Sequence, residues 1–272
     1  MNASNEPASG LPICENCGTQ FAALPTRCPT CADNRVSPDN HGQRWTTHAA
    51  LARRFRLRVG EDAGLLAFAI DGDFAIGQRV LHVPTTAGNI LWECVSLVTD
   101  EAVQALQEAG GVDRIVISHP HFYTSMVEWS EALGGVEILL HEADRQWVAR
   151  PFPRIRFWRG DTLRLSDDVT LINTSGHFPG STVLHWADGP RGGALLSGDS
   201  PQVAKDGRRV GFMYSYPNSI PMALADVRRM REVLHPFDYD DVYGYSWGRN
   251  ILGGGRAAVD ASFEDVLRIA AA

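Results

Sequence analysis

The stretch ISHPHFYTS, residues 117–125, is the most informative part of the sequence for the fold. It continues the apolar run RIVIS at 114–118, which predicts a buried strand. His119 and His121 therefore stand one residue apart directly beyond the strand, where both side chains can turn into the same space while Pro120 fixes the backbone between them. Neutral imidazole is the commonest metal ligand, but loops also collect histidines, so the pair alone leaves a metal site and ordinary loop histidines equally open.

Two further strand-like runs end in the same way. VTLINT at 169–174 leads into SGHFPGS, which carries His177, and GALLS at 193–197 leads into Gly198 and Asp199. Each run offers one ligand from a tight turn at the carboxyl end of a strand, which is where open α/β sheets place their ligands. The three turns together predict a metal site built from His119, His121, His177 and Asp199.

The composition sets the class of the molecule. A chain of 272 residues with 44% hydrophobic and 21% charged side chains is typical of a soluble globular protein. No apolar run approaches the roughly 20 residues that a membrane span needs, and no secretory signal is visible at the start. The net charge of −7 argues against nucleic-acid binding. We therefore expect a cytoplasmic protein with a small-molecule substrate, no nucleic-acid or membrane partner, and a homo-oligomer left open.

Shifts in composition divide the chain into four segments. Residues 1–10 are small and polar and predict a disordered tail. Residues 11–35 hold paired cysteines among Pro, Gly and Thr, and residues 36–44 predict a linker. The main domain is expected over 45–272.

Periodicity in the main domain alternates between strands and helices, which predicts an α+β fold. Strand-like runs occur at 65–70, 78–83, 89–95, 114–118, 136–140, 161–165, 169–174, 181–186 and 193–197. Helical patterns occupy about 99–110, 124–133, 222–234 and 259–270. In RRFRLRV at 53–59, charged and apolar residues alternate as they do in a half-exposed strand.

The N-terminal cysteines form two C-x-x-C pairs separated by ten residues, namely Cys14, Cys17, Cys28 and Cys31. This spacing is typical of a zinc ribbon, in which two short turns each present two thiolates to one ion. A pair of disulfides is the alternative, but nothing in the sequence indicates an oxidising compartment. The module could clamp the edge of the main domain, join a dimer contact or bind a partner, and we favour a structural or oligomer-contact role.

The three ligand-bearing turns resemble the metallo-β-lactamase superfamily. SHPH resembles the start of that family's H-x-H-x-D-H motif, SGHFPGS its G-H-T-x-G-S motif and SGD its G-D motif, in the same order. NILWE at 89–93 resembles a strand that ends in an acidic residue, which implies that Glu93 orients a ligand histidine. The resemblance covers about residues 60–250 and implies an αββα sandwich of two facing sheets covered by helices.

This sequence also departs from the family pattern. Tyr123 and Thr124 stand where the family has an Asp and a further His, and the segment resembling the family's late histidine is YGYSWGR at 243–249. The family's Asp, its further His and its late His, which bind only the second metal ion, are all absent. The resemblance therefore implies one ion in the main domain and a degenerate second site.

The donor set predicts hydrolysis. Three histidines and a carboxylate suit zinc, which would lower the pKa of a bound water to about 7. Because a catalytic zinc keeps an open position, Asp199 is either a fourth ligand or a hydrogen-bond acceptor for that water. The substrate would be an ester, lactone, lactam or thioester. Tyr123 would donate to a developing oxyanion or act as a base, or it would merely fill the vacated second site.

Two other functions stay open from the sequence. His119, His177 and Asp199 also form the ligand type of non-haem iron oxygenases, and persulfide dioxygenases of this superfamily resemble the chain at these positions. Alternatively, the chain is a binding or scaffold protein with a structural ion. GYSWG at 244–248 matches the nucleophile motif of serine hydrolases, but no helical pattern and no histidine follow it. Aromatic residues at 212–221 and 243–247 either line a substrate pocket or pack in the core.

Overall fold

The fold is described from a computed structural model, which covers residues 10–36, 42–86 and 88–270. The predicted tail, apart from Gly10, lies outside these described residues. Most of the predicted linker, residues 37–41, lies outside them as well. No helix in the described ranges is long and apolar enough to cross a membrane.

The main domain consists of two facing sheets. The first sheet has seven strands, in the spatial order Leu57–Asp62, Leu65–Ile70, Arg79–Val83, Ile90–Trp92, Arg114–Val116, Glu137–His141 and Ile155–Trp158. The second sheet has six strands, in the spatial order Thr162–Arg164, Val169–Asn173, Thr182–Trp186, Ala194–Gly198, Asp241–Gly244 and Asn250–Leu252. The first four strands of the first sheet are antiparallel and the later ones parallel.

Helices cover the outer face of each sheet. The helices His48–Arg54, Asp100–Glu108 and Met126–Ala132 pack on the first sheet. The helices Leu224–Leu234 and Gly255–Ile269 pack on the second sheet. A third apolar cluster fills the space between the sheets. The layers are therefore helix, sheet, sheet and helix, which confirms the predicted αββα sandwich.

Successive side chains along each strand contact different layers of the sandwich. In the first sheet, Ile115 packs against the helices and Val116 against the second sheet. In the second sheet, Leu195 packs against the helices and Leu196 against the first sheet. Successive side chains of a strand point to opposite faces, so strands covered on both sides are apolar at nearly every position. The continuous runs RIV and ALL follow from this burial.

The N-terminal cysteine module, which we define as residues 11–35, packs directly on the main domain. Strand Ile13–Cys14 pairs with Trp45–Thr46, and Gln20 N donates to Thr124 O at 3.1 Å. The Ser96 hydroxyl donates to Gly18 O at 2.7 Å. The module therefore lies against the edge of the main domain.

The structure corrects part of the sequence-based assignment. Arg53 and Arg54 end the helix His48–Arg54 and do not belong to a strand, because the Thr47 hydroxyl accepts from Ala50 N and starts the helix. The strand begins at Leu57. The sequence analysis also missed the strands Ile155–Trp158, Asp241–Gly244 and Asn250–Leu252.

A buried arginine joins the two sheets. Arg79 is 1% exposed and its guanidinium contacts Asp62 Oδ2 at 2.5 Å in the first sheet. It also donates to Asn250 Oδ1 at 3.0 Å and to the carbonyl of Gly244 in the second sheet. Asp62 in turn accepts from Gly248 N at 2.7 Å. The charge of Arg79 is therefore balanced by that of Asp62, and removing either side chain would leave the other charge buried and unpaired.

Arg79→Met should therefore lower the free energy of unfolding by about 3–5 kcal/mol, because Asp62 would stay buried without its cation. Urea unfolding followed by circular dichroism measures this loss. The matched control is Arg156→Met, since the Arg156 pair with Glu137 is 53% and 43% exposed and should contribute less than about 1 kcal/mol. Equal losses in the two variants would contradict the role of Arg79.

Candidate metal centre and its cavity

Four side chains from both sheets converge at one end of the sandwich. Beyond the strand Arg114–Val116, His119 is extended and a 3-10 turn, Pro120–Phe122, carries His121. His177 follows the strand Val169–Asn173 and Asp199 follows Ala194–Gly198. The donor atoms of all four residues lie within 4.8 Å of one another. The structure thus brings together the residues that the sequence analysis proposed.

The spacing of these donors matches a tetrahedron. His119 Nε2 lies 3.1 Å and His177 Nε2 3.7 Å from Asp199 Oδ1, and His121 Nδ1 lies 3.8 Å from Oδ2. The His121 Nδ1 to His177 Nε2 distance is 3.2 Å. Zinc bonds of about 2.0–2.1 Å give tetrahedral edges of roughly 3.3 Å. Asp199 therefore lies within ligand distance of the histidines, with Oδ1 nearest to His119 and His177 and Oδ2 nearest to His121.

Two of these donors have no hydrogen-bond partner in the described part of the chain. His119 Nε2 and Asp199 Oδ1 are buried and unpartnered. His119 Nε2 and Asp199 Oδ1 are 3.1 Å apart, yet they form no hydrogen bond. Buried polar atoms are almost always partnered, and unsatisfied ones point to an ion or water. The residues therefore fit a bound cation.

Burial sets the protonation states that a metal ligand needs. Burial, reinforced by the neighbouring histidines, lowers the pKa of His177 to about 3, and burial also lowers the pKa of His121. Burial alone would raise the pKa of Asp199, but the adjacent His119 outweighs it and keeps that pKa well below its usual range. Neutral imidazoles and an ionised carboxylate are the forms that coordinate metals.

Hydrogen bonds hold the imidazoles in position. His119 Nδ1 lies 2.8 Å from the Ser118 hydroxyl, and His177 Nδ1 donates to Met213 O at 3.1 Å. These contacts leave Nε2 of both rings directed at the common point. The side-chain amide of Gln78 donates to His121 O at 3.0 Å and to Cys17 O at 3.0 Å. Gln78 thereby connects this site to the cysteine module.

The contacts of Glu93 differ from what the resemblance implied. Its Oε2 accepts from Ser118 N at 3.1 Å, and the described residues show no hydrogen bond from Glu93 to a histidine. Glu93 has a φ of 71°, which is uncommon for a residue with a side chain. Burial raises the pKa of this carboxyl well above its usual range. Glu93 therefore contacts Ser118, whose hydroxyl in turn contacts His119, and the described residues show no direct Glu93–histidine hydrogen bond.

The structure places Tyr123 in the apolar core. It is 2% exposed and belongs to the cluster between the first sheet and its helices, because the 3-10 turn at Pro120–Phe122 redirects the chain. It is not among the residues that line the cavity beside the four donors. Burial also raises the pKa of its phenol, which disfavours a role as a base. The position of Tyr123 in the core argues against the catalytic role that the sequence suggested.

A cavity of about 170 Å³ opens beside the four donors. His121, His177 and Asp199 line it on one side. The remaining lining residues are Arg35, Val36, Ile76, Gln202, Tyr216, Pro217 and Tyr245. Some of the aromatic residues singled out in the sequence thus reach the cavity, whereas Phe212 and Tyr243 pack in the core. Arg35, Val36, Ile76 and Gln202 carry no motif by which sequence reasoning finds them.

A second cluster of donors lies in the cysteine module. The thiols of Cys14, Cys17, Cys28 and Cys31 are all buried and none forms a disulfide. The Sγ atoms of Cys14 and Cys31 are 3.5 Å apart, and those of Cys17 and Cys28 are 3.7 Å apart. Zinc–sulfur bonds of about 2.3 Å give tetrahedral edges of roughly 3.8 Å. This group therefore also fits one ion.

Three buried histidines outside the site have backbone partners. His82 contacts Gly111 O at 2.9 Å, His141 contacts Gly160 O at 3.2 Å and His185 contacts Asp238 O at 2.7 Å. The segment after Ser246 forms the strand Asn250–Leu252 and not the helix that a serine nucleophile motif needs. Neither feature competes with the four-donor site.

Asp144 lies beneath the loop that carries His177. It is buried, its Oδ1 accepts from Gly180 N at 2.9 Å, and its Oδ2 has no partner among the described residues. Burial raises the pKa of this carboxyl from 3.8 to about 6. A raised pKa means that the folded state binds a proton more tightly than the unfolded chain, so stability is lost as the pH rises from about 4 through 6.

Asp144→Asn mimics the protonated carboxyl and should therefore be more stable than wild type at pH 7.5. The shift of roughly two pH units corresponds to about 3 kcal/mol, and the advantage should be about half as large at pH 5. Urea unfolding at both pH values measures it. Asp167→Asn is the control, since the Asp167 side chain is 100% exposed. An advantage that does not shrink at pH 5 would show that the Asp144 carboxyl titrates normally.

Comparison with known proteins shows the family. No family model matches the chain. It is 38% identical over 240 residues to the uncharacterized protein YmaE of Bacillus subtilis (strain 168), an overlap of 85% of this chain and 86% of YmaE. The crystal structure of VMB-1 superimposes with a TM-score of 0.54 at 13% identity and covers 79% of this chain and 98% of VMB-1.

A metal-soaked Flv1 flavodiiron core from Synechocystis sp. PCC6803 gives a TM-score of 0.54 at 14% identity, over 79% of this chain and 61% of that core. Identities this low show a shared fold and nothing about activity. The relationship to YmaE is closer, because it holds at the level of sequence over most of both chains. The chain therefore belongs to the same family as YmaE and has the metallo-β-lactamase fold.

Proposed function

We propose that this protein is a metal-dependent hydrolase that uses a single zinc-activated water in the main domain. The observation that carries the proposal is the set of four buried donors at tetrahedral spacing, three of which line a cavity. The substrate class is a small molecule with an ester, lactone, lactam or thioester bond. The cytoplasmic location, the homo-oligomer and the absence of nucleic-acid and membrane partners stay predictions.

The chain's own residues prepare the site for this chemistry. A zinc ion held by His119, His121, His177 and Asp199 would supply a water of lowered pKa and polarise a substrate carbonyl. The ionised Asp199 carboxylate has a second oxygen with which it can accept a proton or a hydrogen bond. The Tyr216 hydroxyl donates to Asp199 O at 2.9 Å and holds the backbone of that loop.

The position of Asp199 bears on whether the site is open. Four ligands at tetrahedral spacing describe a closed site, which is the arrangement of a structural ion. A structural ion needs no adjacent cavity, however, and here His121, His177 and Asp199 all line one. We infer that an ion held by these residues would be reachable from the cavity by a water or a substrate, as a catalytic ion must be.

The position of His121 favours zinc over iron. In an iron oxygenase with two histidines and one carboxylate, His121 would be a bystander. Its Nδ1 lies 3.2 Å from His177 Nε2, which is as close as the other donors lie to one another. Four convergent donors that include three imidazoles fit zinc by ligand type and number.

Protein purified without added metal should contain two equivalents of zinc by inductively coupled plasma mass spectrometry. His121→Ala should retain one, because the cysteine module keeps its own four donors. Cys17→Ser should lose zinc from the cysteine module. His235→Ala, an exposed histidine outside both groups, is the matched control. One equivalent of iron in the wild-type protein would overturn the zinc assignment and favour the oxygenase.

Zinc-loaded protein should hydrolyse at least one member of a panel of esters, lactones, lactams and thioesters. His121→Ala should lower kcat/KM on that substrate at least about a hundredfold, because the ion that activates the water is lost. The His235→Ala variant should react as wild type does. A panel on which wild type and His121→Ala cannot be distinguished would contradict a hydrolase and favour a structural ion.

A further inference from the structure

The cysteine module supplies one wall of the cavity. Arg35, the last residue of the module, lines the cavity together with His121, His177 and Asp199 of the main domain. Its Nε donates to His177 O at 2.6 Å. The cavity beside the four donors is therefore incomplete without the module, and no motif in the sequence indicates this role.

Aromatic rings and hydrogen bonds hold Arg35 in place. Its guanidinium carbon lies 4.3 Å from the centre of the Phe178 ring and 4.6 Å from that of Tyr214. Its backbone carbonyl accepts from the Ser215 hydroxyl at 3.2 Å. The side chain is 13% exposed. Such a guanidinium is preorganised, so little side-chain freedom would be lost when it binds a ligand.

Part of the hydrogen-bonding capacity of Arg35 is unused. Nε donates to His177 O, and Nη1 pairs with Asp33 Oδ2 at 2.8 Å. For Nη2, the described residues contain no recorded partner. A guanidinium has five N–H groups and no acceptor, so the remaining donors can bind an oxyanion. The other residues that line the cavity contribute no second arginine or lysine.

We propose that Arg35 is a substrate-positioning residue that binds a carboxylate carried by the substrate, while the bond to be hydrolysed lies beside His121, His177 and Asp199. This inference rests on the proposed hydrolase function and narrows its substrate class to a small ester, lactone, lactam or thioester that carries a carboxylate. A carboxylate suits the planar guanidinium, and a cavity of about 170 Å³ admits only a small anion.

Two esters that differ in charge test the proposal. Wild type should hydrolyse 4-acetoxybenzoate with a kcat/KM at least about tenfold above that for phenyl acetate, as expected for one charge-assisted contact. Arg35→Gln should lower this ratio about tenfold or more, chiefly through KM, and Arg35→Lys should restore part of it. The matched control is Arg27→Gln, since Arg27 is an exposed arginine of the same module. Zinc content is measured in every variant.

Binding without turnover gives a second measurement. Calorimetry should show that 4-hydroxybenzoate binds wild type and Arg27→Gln equally and Arg35→Gln at least about tenfold more weakly. In wild type, benzoate but not benzamide should compete with phenyl acetate, a result that needs no variant. Equal hydrolysis of the two esters, unaffected by Arg35→Gln, would overturn this inference and leave the hydrolase intact. Binding of 4-hydroxybenzoate through Arg35 without hydrolysis of any ester would support the anion site and contradict the hydrolase.

Discussion

The convergence of buried, unpartnered donors is the constraint on which the rest of the structure depends. His119 Nε2 and Asp199 Oδ1 lie 3.1 Å apart without a hydrogen bond. Leaving such atoms unsatisfied in the interior costs roughly 1–3 kcal/mol each, and more for a charged group. A cation bound between these two atoms would remove this cost, because each atom would then face a positive charge and not another electron-rich atom. A bound ion would thus stabilise the loops that end three separate strands, in addition to packing.

The two clusters of donors are not mechanically independent. The Gln78 amide donates at once to Cys17 O and to His121 O, at 3.0 Å in each case. Arg35 forms a second connection through His177 O. A small module rich in cysteine has too little apolar surface to fold alone, so an ion bound by its four cysteines would supply much of the free energy of its folding. The order of the cysteine module therefore contributes directly to the geometry of the main-domain site.

Local patterns predicted much of this architecture. Apolar runs fixed the principal strands, and ligands directly beyond three of them identified the four-donor site before any coordinates. The strands Ile155–Trp158 and Asp241–Gly244 escaped detection because they are short and their residues are mixed in polarity. Pairing with neighbouring strands determines their conformation, which is a tertiary effect that propensity does not report.

Side-chain roles were harder to predict than ligand positions. Tyr123 occupies the place of a ligand in the motif, but the 3-10 turn at Pro120–Phe122 carries it into the core. Arg35 contacts His177 across 142 positions of sequence, so no local window contains both. A sequence motif indicates which residues can bind an ion. It does not indicate which distant segment packs beside them and forms the cavity wall.

The main-domain site and the cysteine module would both contribute positive charge to the cavity. A divalent ion with three neutral imidazoles and one carboxylate leaves the proposed site with a net charge of about +1, where a second ion would have added two more. Arg35 adds a fixed positive charge on the cavity wall, partly balanced by Asp33 at 2.8 Å. A metal ion can exchange its ligands and polarise a reacting bond. A guanidinium held between Phe178 and Tyr214 can only bind and orient a substrate. The proposed division of labour therefore assigns bond cleavage to the single ion and substrate selection to the module.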